Sequence, residues 1–364
     1  MSATKVSDVR KIAVLRSNAI GDFLVTLPAL EAVRHAYPQA EIVLLGQHWQ
    51  ADFLRRRPGP IDRVEVVPYM QGVYSKAGVP EDPDAIENFF QRMRQENFDI
   101  GLQLYGGGRY SNPFIKALNA RITVGMRAPG SPPLDRWIPY FTYQSEVHRL
   151  LDVVSLIGAP VVSINSIIRV TRNDYDEAAR AIPATANRLV VIHPGASDHR
   201  RRWPVKKFAR TADRIAKLGA TIVITGIESE RNLTAELSSA IKYPVVDLTG
   251  KLTVNGLTGL LADSSLVISN DTGPLHLSRA VGTPTVGIYW VGNMINAAPV
   301  SMKQNIVHIS WRLDCPVCGK NCIYYDCPHD ESFVSEINEE DVEISACELF
   351  QKFSKIPERL SLSR

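Results

Sequence analysis

Residues 266–290 read LVISNDTGPLHLSRAVGTPTVGIYW. The opening LVI at 266–268 is short and β-branched, which suits the end of a strand. Thr272-Gly273-Pro274 makes a turn, a helix follows over about 273–281 carrying His276, and TPTVGIYW (283–290) is a second strand. Strand, helix and strand in so short a span form a βαβ crossover, and hence a parallel pair. The same rhythm extends in both directions. KIAVLR (11–16), EIVLLG (41–46), RVEVVP (63–68), IGLQLY (100–105) and ITVGM (122–126) are predicted strands in the first half. LVVIHPG (189–195), TIVITG (221–226), VVDLTG (245–250), LVISN (266–270) and TPTVGIYW follow in the second. Helical periods fall between them at 23–35, 84–96, 145–157, 204–218, 229–241 and 254–263. The expected fold is α/β: a Rossmann-like half over 1–160, another over 161–340, and a closing helix over 341–364 packing back on the first half. In such a pair, ligands bind beyond the carboxyl ends of the strands, in a cleft between the two sheets.

The chain has 364 residues, 45% hydrophobic and 22% charged, enough to bury two cores. A net charge of +3 argues against a general polyanion binder, although Arg55-Arg56-Arg57 and His199-Arg200-Arg201-Arg202 form local basic runs, of which the first reads more readily as a solvated face and the second less so. The start, MSATKVSDVRK, lacks the apolar core of a secretory signal. The uncharged run 280–302 is broken by Gly282, Pro284, Gly287, Gly292 and Pro299, so no membrane-spanning helix is expected.

Three strand-to-helix junctions carry the polar residues. In RSNAIGDFLVTLPAL (16–30), Gly21 suits a tight turn and Asp22 is either the cap of a helix beginning at Phe23 or a general base. In HPGASDHRRRWP (193–204), Gly195 and Ser197 allow main-chain N–H groups near a ligand, while arginines can grip phosphate oxygens two at a time. The third is Asp271-Thr272-Gly273, where a helix start offers unpaired N–H groups to a diphosphate. Asp271 repels phosphate, so its work is to shape the turn or bind a sugar hydroxyl; His276 is either a ligand contact or a satisfied core residue. The sequence has no G-x-x-x-x-G-K-[ST] loop, no G-x-G-x-x-G after a strand and no G-x-S-x-G elbow. Two D-x-D triplets, Asp82-Pro83-Asp84 and Asp174-Tyr175-Asp176, sit at helix starts and read as caps, not as metal clamps.

These junctions resemble those of the bacterial ADP-heptose:lipopolysaccharide heptosyltransferases, glycosyltransferase family 9, over nearly the whole chain. SNDTGPLHLSRAVGTPTVGIYW (269–290) is similar to the family's D-[ST]-G-x-x-H-x-x-A-A-x-x-x-P segment, and IGDFLVTLPAL (20–30) to its GD-x-x-x-x-x-P segment. The resemblance implies a GT-B fold and an inverting transfer that uses no cofactor and no metal. It implies Asp22 as catalytic base. On the donor side it implies Arg201 at the phosphates, with Arg202 and Ser197 beside it, Asp271, Thr272, Gly273 and His276 at the diphosphate turn, and Glu230, preferred over Glu228, at the ribose. The partners implied are a nucleotide-sugar donor, with ADP-heptose foremost, and a lipid-linked lipopolysaccharide core acceptor. Arg55, Arg56, Arg57 and Arg109 are candidate contacts for the acidic acceptor. The expected location is cytoplasmic, touching the inner membrane face peripherally, with no nucleic acid partner.

Four of the five cysteines lie in CPVCGKNCIYYDC (315–327), with His329 just beyond, while Cys347 stands apart in the closing helix. Cys315, Cys318, Cys322 and Cys327 can hold zinc, but reduced thiols are the simpler expectation. A nucleotide-sugar epimerase or hydrolase, or a non-catalytic nucleotide-sugar-binding module on the same fold, are the competing readings.

Overall fold

The computed structural model describes residues 4–75 and 78–353. It divides into two compact units, Met1–Ser166 and Ile167–Arg364.

The first unit contains β1 (Lys11–Leu15), β2 (Glu41–Gly46), β3 (Arg63–Val66), β4 (Ile100–Gln103), β5 (Ile122–Arg127) and β6 (Arg136–Pro139). They form one sheet in the order β3-β2-β1-β4-β5-β6, and every pairing is parallel. Its central strands are buried on both faces, which is why they read as unbroken apolar runs rather than alternating ones. The second unit repeats the plan with β7 (Leu189–His193), β8 (Thr221–Ile224), β9 (Val245–Asp247), β10 (Leu266–Asn270), β11 (Thr285–Trp290) and β12 (Asn305–Ser310). Its order, β12-β11-β10-β7-β8-β9, is again all parallel. Both sheets have the doubly wound order in which the first and fourth strands lie side by side. The chain leaves those two strands in opposite directions, and this switch point opens a crevice at their carboxyl ends.

Ten of these strands match the sequence-based expectation. The two that periodicity missed, β6 and β12, are both sheet edges. Strand β6 (RWIP) is only partly buried and ends in Pro139, which an edge tolerates because the N–H that proline lacks is not needed on the open side of the sheet. Strand β12 (NIVHIS) mixes polar and apolar residues.

The helix expected over 23–35 is two helices, Ile20–Leu24 and Leu27–Ala36. Pro28 would clash with the carbonyl four residues earlier in a continuous helix, so the chain restarts there. Thr26 stands at the break, its hydroxyl donating to the Asp22 carbonyl at 2.9 Å. Asp82 caps the helix Pro83–Gln95 by accepting from the amides of Asp84 and Ala85. Asp174 is the third-position partner in a capping box with Thr171.

The closing helix, Glu339–Lys352, corrects one expectation. It packs in the second unit, not the first: Val342, Ala346, Leu349 and Phe350 are buried with Phe208, Ile215 and Val190 in that unit's own core. An apolar stripe on the last helix is what buries there. The remainder of the expected segment, 354–364, lies outside the described residues. No helix among the described residues is long and apolar enough to cross a membrane.

Candidate active site

In the second unit the junctions after β7 and β10, the switch-point pair, carry the predicted donor residues. Asn270 ends β10 and is fully buried. Its side-chain amide donates to the Pro194 carbonyl at 2.7 Å, and its oxygen accepts from the Trp203 amide at 3.0 Å. One side chain thus ties the β7 loop to the residue that ends the basic segment, and that is why an asparagine stands at the end of an otherwise apolar strand.

Asp271, only 4% exposed, sits at the centre of a cationic cluster. His276 Nε2 approaches Oδ1 at 3.2 Å, and Arg201 Nη1 approaches Oδ2 at 3.6 Å. Arg201 also reaches the Asp271 carbonyl at 3.4 Å and donates to the Ser197 hydroxyl at 2.8 Å. Arg279 Nη2 lies 2.9 Å from His276 Nδ1. A guanidinium can only donate, so Nδ1 accepts and the imidazole proton stands on Nε2, facing Asp271. Burial pushes the Asp271 carboxyl up, but His276, Arg201 and Arg279 together outweigh it and hold it below the ordinary aspartate value. Arg279 drew no attention in the sequence; its place one helical step from His276 was the available signal. Thr272 and Gly273 begin the helix Gly273–Ala280, with Pro274 in its first turn, where the missing N–H costs nothing.

Glu230 is buried beside the β7 loop. It accepts from the Ile227 amide at 3.0 Å and faces Arg202 Nη2 at 3.9 Å. A Cβ on Gly195 would stand 2.0 Å from Glu230 Oε1, so that glycine makes room for the carboxylate. Arg202 donates to the Ala196 carbonyl at 3.0 and 2.8 Å; it braces the loop, whereas Arg201 lies along the helix start. Burial pushes the His193 imidazole at the end of β7 down, against the pull of Glu230.

In the first unit, Asp22 lies inside the helix Ile20–Leu24, not ahead of it, and makes no side-chain cap bond. Its carboxylate is 50% exposed and stands 3.8 Å from Nη2 of the buried Arg16. Arg16, at the end of β1, donates to the Asp22 carbonyl at 2.9 Å and to the Leu104 carbonyl at 2.5 Å, and pairs with Glu146 at 3.1 Å. Glu146 also takes Arg149 at 2.5 Å. This Arg16–Glu146–Arg149 cluster was missed in the sequence, because Glu146 is 130 residues from Arg16. An arginine closing a buried strand was the only clue.

The three neighbouring arginines do not act together. Arg55 is exposed and pairs with Asp52 at 2.8 Å, and Arg56 is exposed with φ 60°. Arg57 is buried, donating to the Phe53 carbonyl at 2.9 Å with its guanidinium over the Phe53 ring. All three follow the helix His48–Leu54 on the path towards the start of β3, whereas Asp22 follows the end of β1. Arg109, exposed and beside Tyr110, follows the end of β4 and so shares the carboxyl end of the sheet with Asp22. The cysteine set also differs from the expected one: ligand atoms of Cys315, Cys318, Cys327 and His329 lie within 4.8 Å of one another, and Cys322 is outside that group.

Residues 86–324 match the model of glycosyltransferase family 9 (heptosyltransferase). The chain belongs to glycosyltransferase family 9. Family 9 membership makes it a glycosyltransferase, and the doubled sheet its GT-B fold. Among curated family 9 proteins, it is 23% identical to the lipopolysaccharide core heptosyltransferase OpsX of Haemophilus influenzae over 82% of this chain and 84% of that one. Among solved structures, a family 9 glycosyl transferase from Veillonella parvula superposes with a TM-score of 0.76 at 20% identity, covering 97% of this chain and 99% of the other. The ADP-heptose lps heptosyltransferase II of Escherichia coli does so with a TM-score of 0.74 at 15% identity, over 94% and 99%.

Proposed function

We propose that this glycosyltransferase moves a heptose from ADP-heptose to the inner core of lipopolysaccharide, with inversion and without a metal at the reacting atoms. The observation that carries the reading is the buried Asp271–His276–Arg201 cluster at a helix start on the switch point of the second sheet, together with the names borne by the relatives, OpsX and heptosyltransferase II among them.

The acceptor hydroxyl attacks the anomeric carbon, Asp22 takes its proton, and the carbon–oxygen bond to the diphosphate breaks with its electron pair leaving on ADP. Arg201 and the main-chain N–H groups at Thr272-Gly273 stand ready before charge builds on that leaving group, so they stabilise it without reorganising. Asp271, engaged by the Arg201 guanidinium and by the His276 N–H, holds both side chains in position. Glu230 takes the ribose hydroxyls. Arg109 contacts the acidic acceptor, and the enzyme works where its lipid-linked acceptor lies, on the inner face of the cytoplasmic membrane.

Asp22→Asn tests the assignment. Transfer should fall by about 10²–10⁴, while ADP still raises the melting temperature as it does in the wild type. Transfer near the wild-type rate overturns the base. An epimerase or hydrolase would instead consume ADP-heptose at the same rate with no acceptor present.

A further inference from the structure

The loop that follows β12 has a form which its own packing does not account for. Trp311, Leu313, Val317, Tyr324 and Tyr325 are exposed, so the segment has little core of its own. Yet residues 313–322 close a tight double turn. The Cys315 amide donates to the Lys320 carbonyl at 2.8 Å, the Gly319 amide to the Cys315 carbonyl at 2.9 Å, and the Cys322 amide to the Leu313 carbonyl at 2.8 Å. Gly319 turns the chain with φ 70°, in the left-handed region that a residue with a Cβ enters only under strain. The turn brings the ligand atoms of Cys315 and Cys318 within 4.8 Å of each other.

Two more groups complete the set. Cys327 and His329 bring their ligand atoms within 4.8 Å of those of Cys315 and Cys318, and Cys315 Sγ lies 3.6 Å from His329 Nδ1. With metal–sulfur and metal–nitrogen bonds of about 2.3 and 2.0 Å, a tetrahedral site has sulfur–nitrogen edges of about 3.5 Å. The pairing of Cys315 with His329 is thus already at the length a shared ion requires, and no disulfide uses up the sulfurs. Three thiolates around a divalent ion leave one negative charge.

We propose that Cys315, Cys318, Cys327 and His329 form a tetrahedral structural site for zinc. Three sulfurs and an imidazole in tetrahedral array favour that ion among the divalent metals, and four protein ligands leave no open position for catalysis. The site fastens the loop to the donor side of the second unit. The Phe333 amide donates to the Arg200 carbonyl at 2.6 Å, and the Ser332 hydroxyl to the Arg202 carbonyl at 2.6 Å. Arg201 lies between those two anchored carbonyls, so the metal positions it without touching substrate.

The test is elemental analysis of the full chain, purified without a metal-affinity step. One zinc per chain is expected in the wild type, in Cys322→Ser and in Cys347→Ser, with loss in Cys318→Ser and His329→Ala. Cobalt(II) added to metal-free wild type should give the thiolate charge-transfer and tetrahedral ligand-field bands, a readout that needs no variant to fold. Removing zinc should hasten protease cleavage within 313–330. No bound metal together with no cobalt spectrum overturns the site. Zinc kept in His329→Ala but lost in Cys322→Ser overturns the ligand set, and one equivalent of iron in place of zinc overturns the choice of ion.

Discussion

His276 Nε2 stands 3.2 Å from Asp271 Oδ1, and Arg279 on the other side of the ring decides which nitrogen carries the proton. The carboxylate is therefore fixed by a donor that is itself fixed. Asp271→Asn should leave Arg201 and His276 with a weaker partner and destabilise the second unit by about 1–3 kcal/mol at neutral pH. Because the folded state holds this carboxyl below its unfolded value of about 3.9, the charge favours folding above that pH, and its contribution is lost as pH falls through the folded value. The stability gap between wild type and Asp271→Asn, followed by urea titration from neutral to acid pH, should close on the acid side.

Arg201→Ala should lower kcat/KM for transfer by about 10²–10³, the usual loss for one donor to a developing anion. Binding of ADP should weaken while binding of adenosine, which lacks the diphosphate, should not. Isothermal titration with both ligands separates a phosphate contact from a general disturbance of the fold.

Gly195→Ala places a methyl group where Glu230 Oε1 now lies, 2.0 Å away. The carboxylate must swing out, and Arg202 loses its facing charge. A loss of about 1–3 kcal/mol is expected from overpacking, with KM for the donor rising more than kcat falls, as initial-rate kinetics will show.

Glu146→Ala strands two buried guanidinium groups, those of Arg16 and Arg149. Breaking a buried pair by removing one partner costs about 3–5 kcal/mol. Denaturant unfolding of Glu146→Ala against Glu146→Gln measures it; the glutamine variant should lose less because it keeps a hydrogen-bonding oxygen.

The central strands were legible in the residues themselves, since a strand covered on both faces must be apolar throughout, and the edges β3 and β9 were legible from their valines. The edge strands β6 and β12 were not, because an edge carries no such requirement. Strand-to-helix junctions rich in Gly, Asp and Thr likewise marked where ligand groups belong, for those turns demand such residue types locally. Long-range partnership was not legible. The alignment of Arg16 with Glu146, the retreat of Arg57 beneath Phe53, the return of the last helix to the second sheet and the replacement of Cys322 by His329 among four clustered ligands all depend on which surfaces remain to be covered once the sheets are built. Local propensity acts over a few residues and is written in them one by one. Burial and charge pairing act across the folded chain, and only packing decides which distant residues share them.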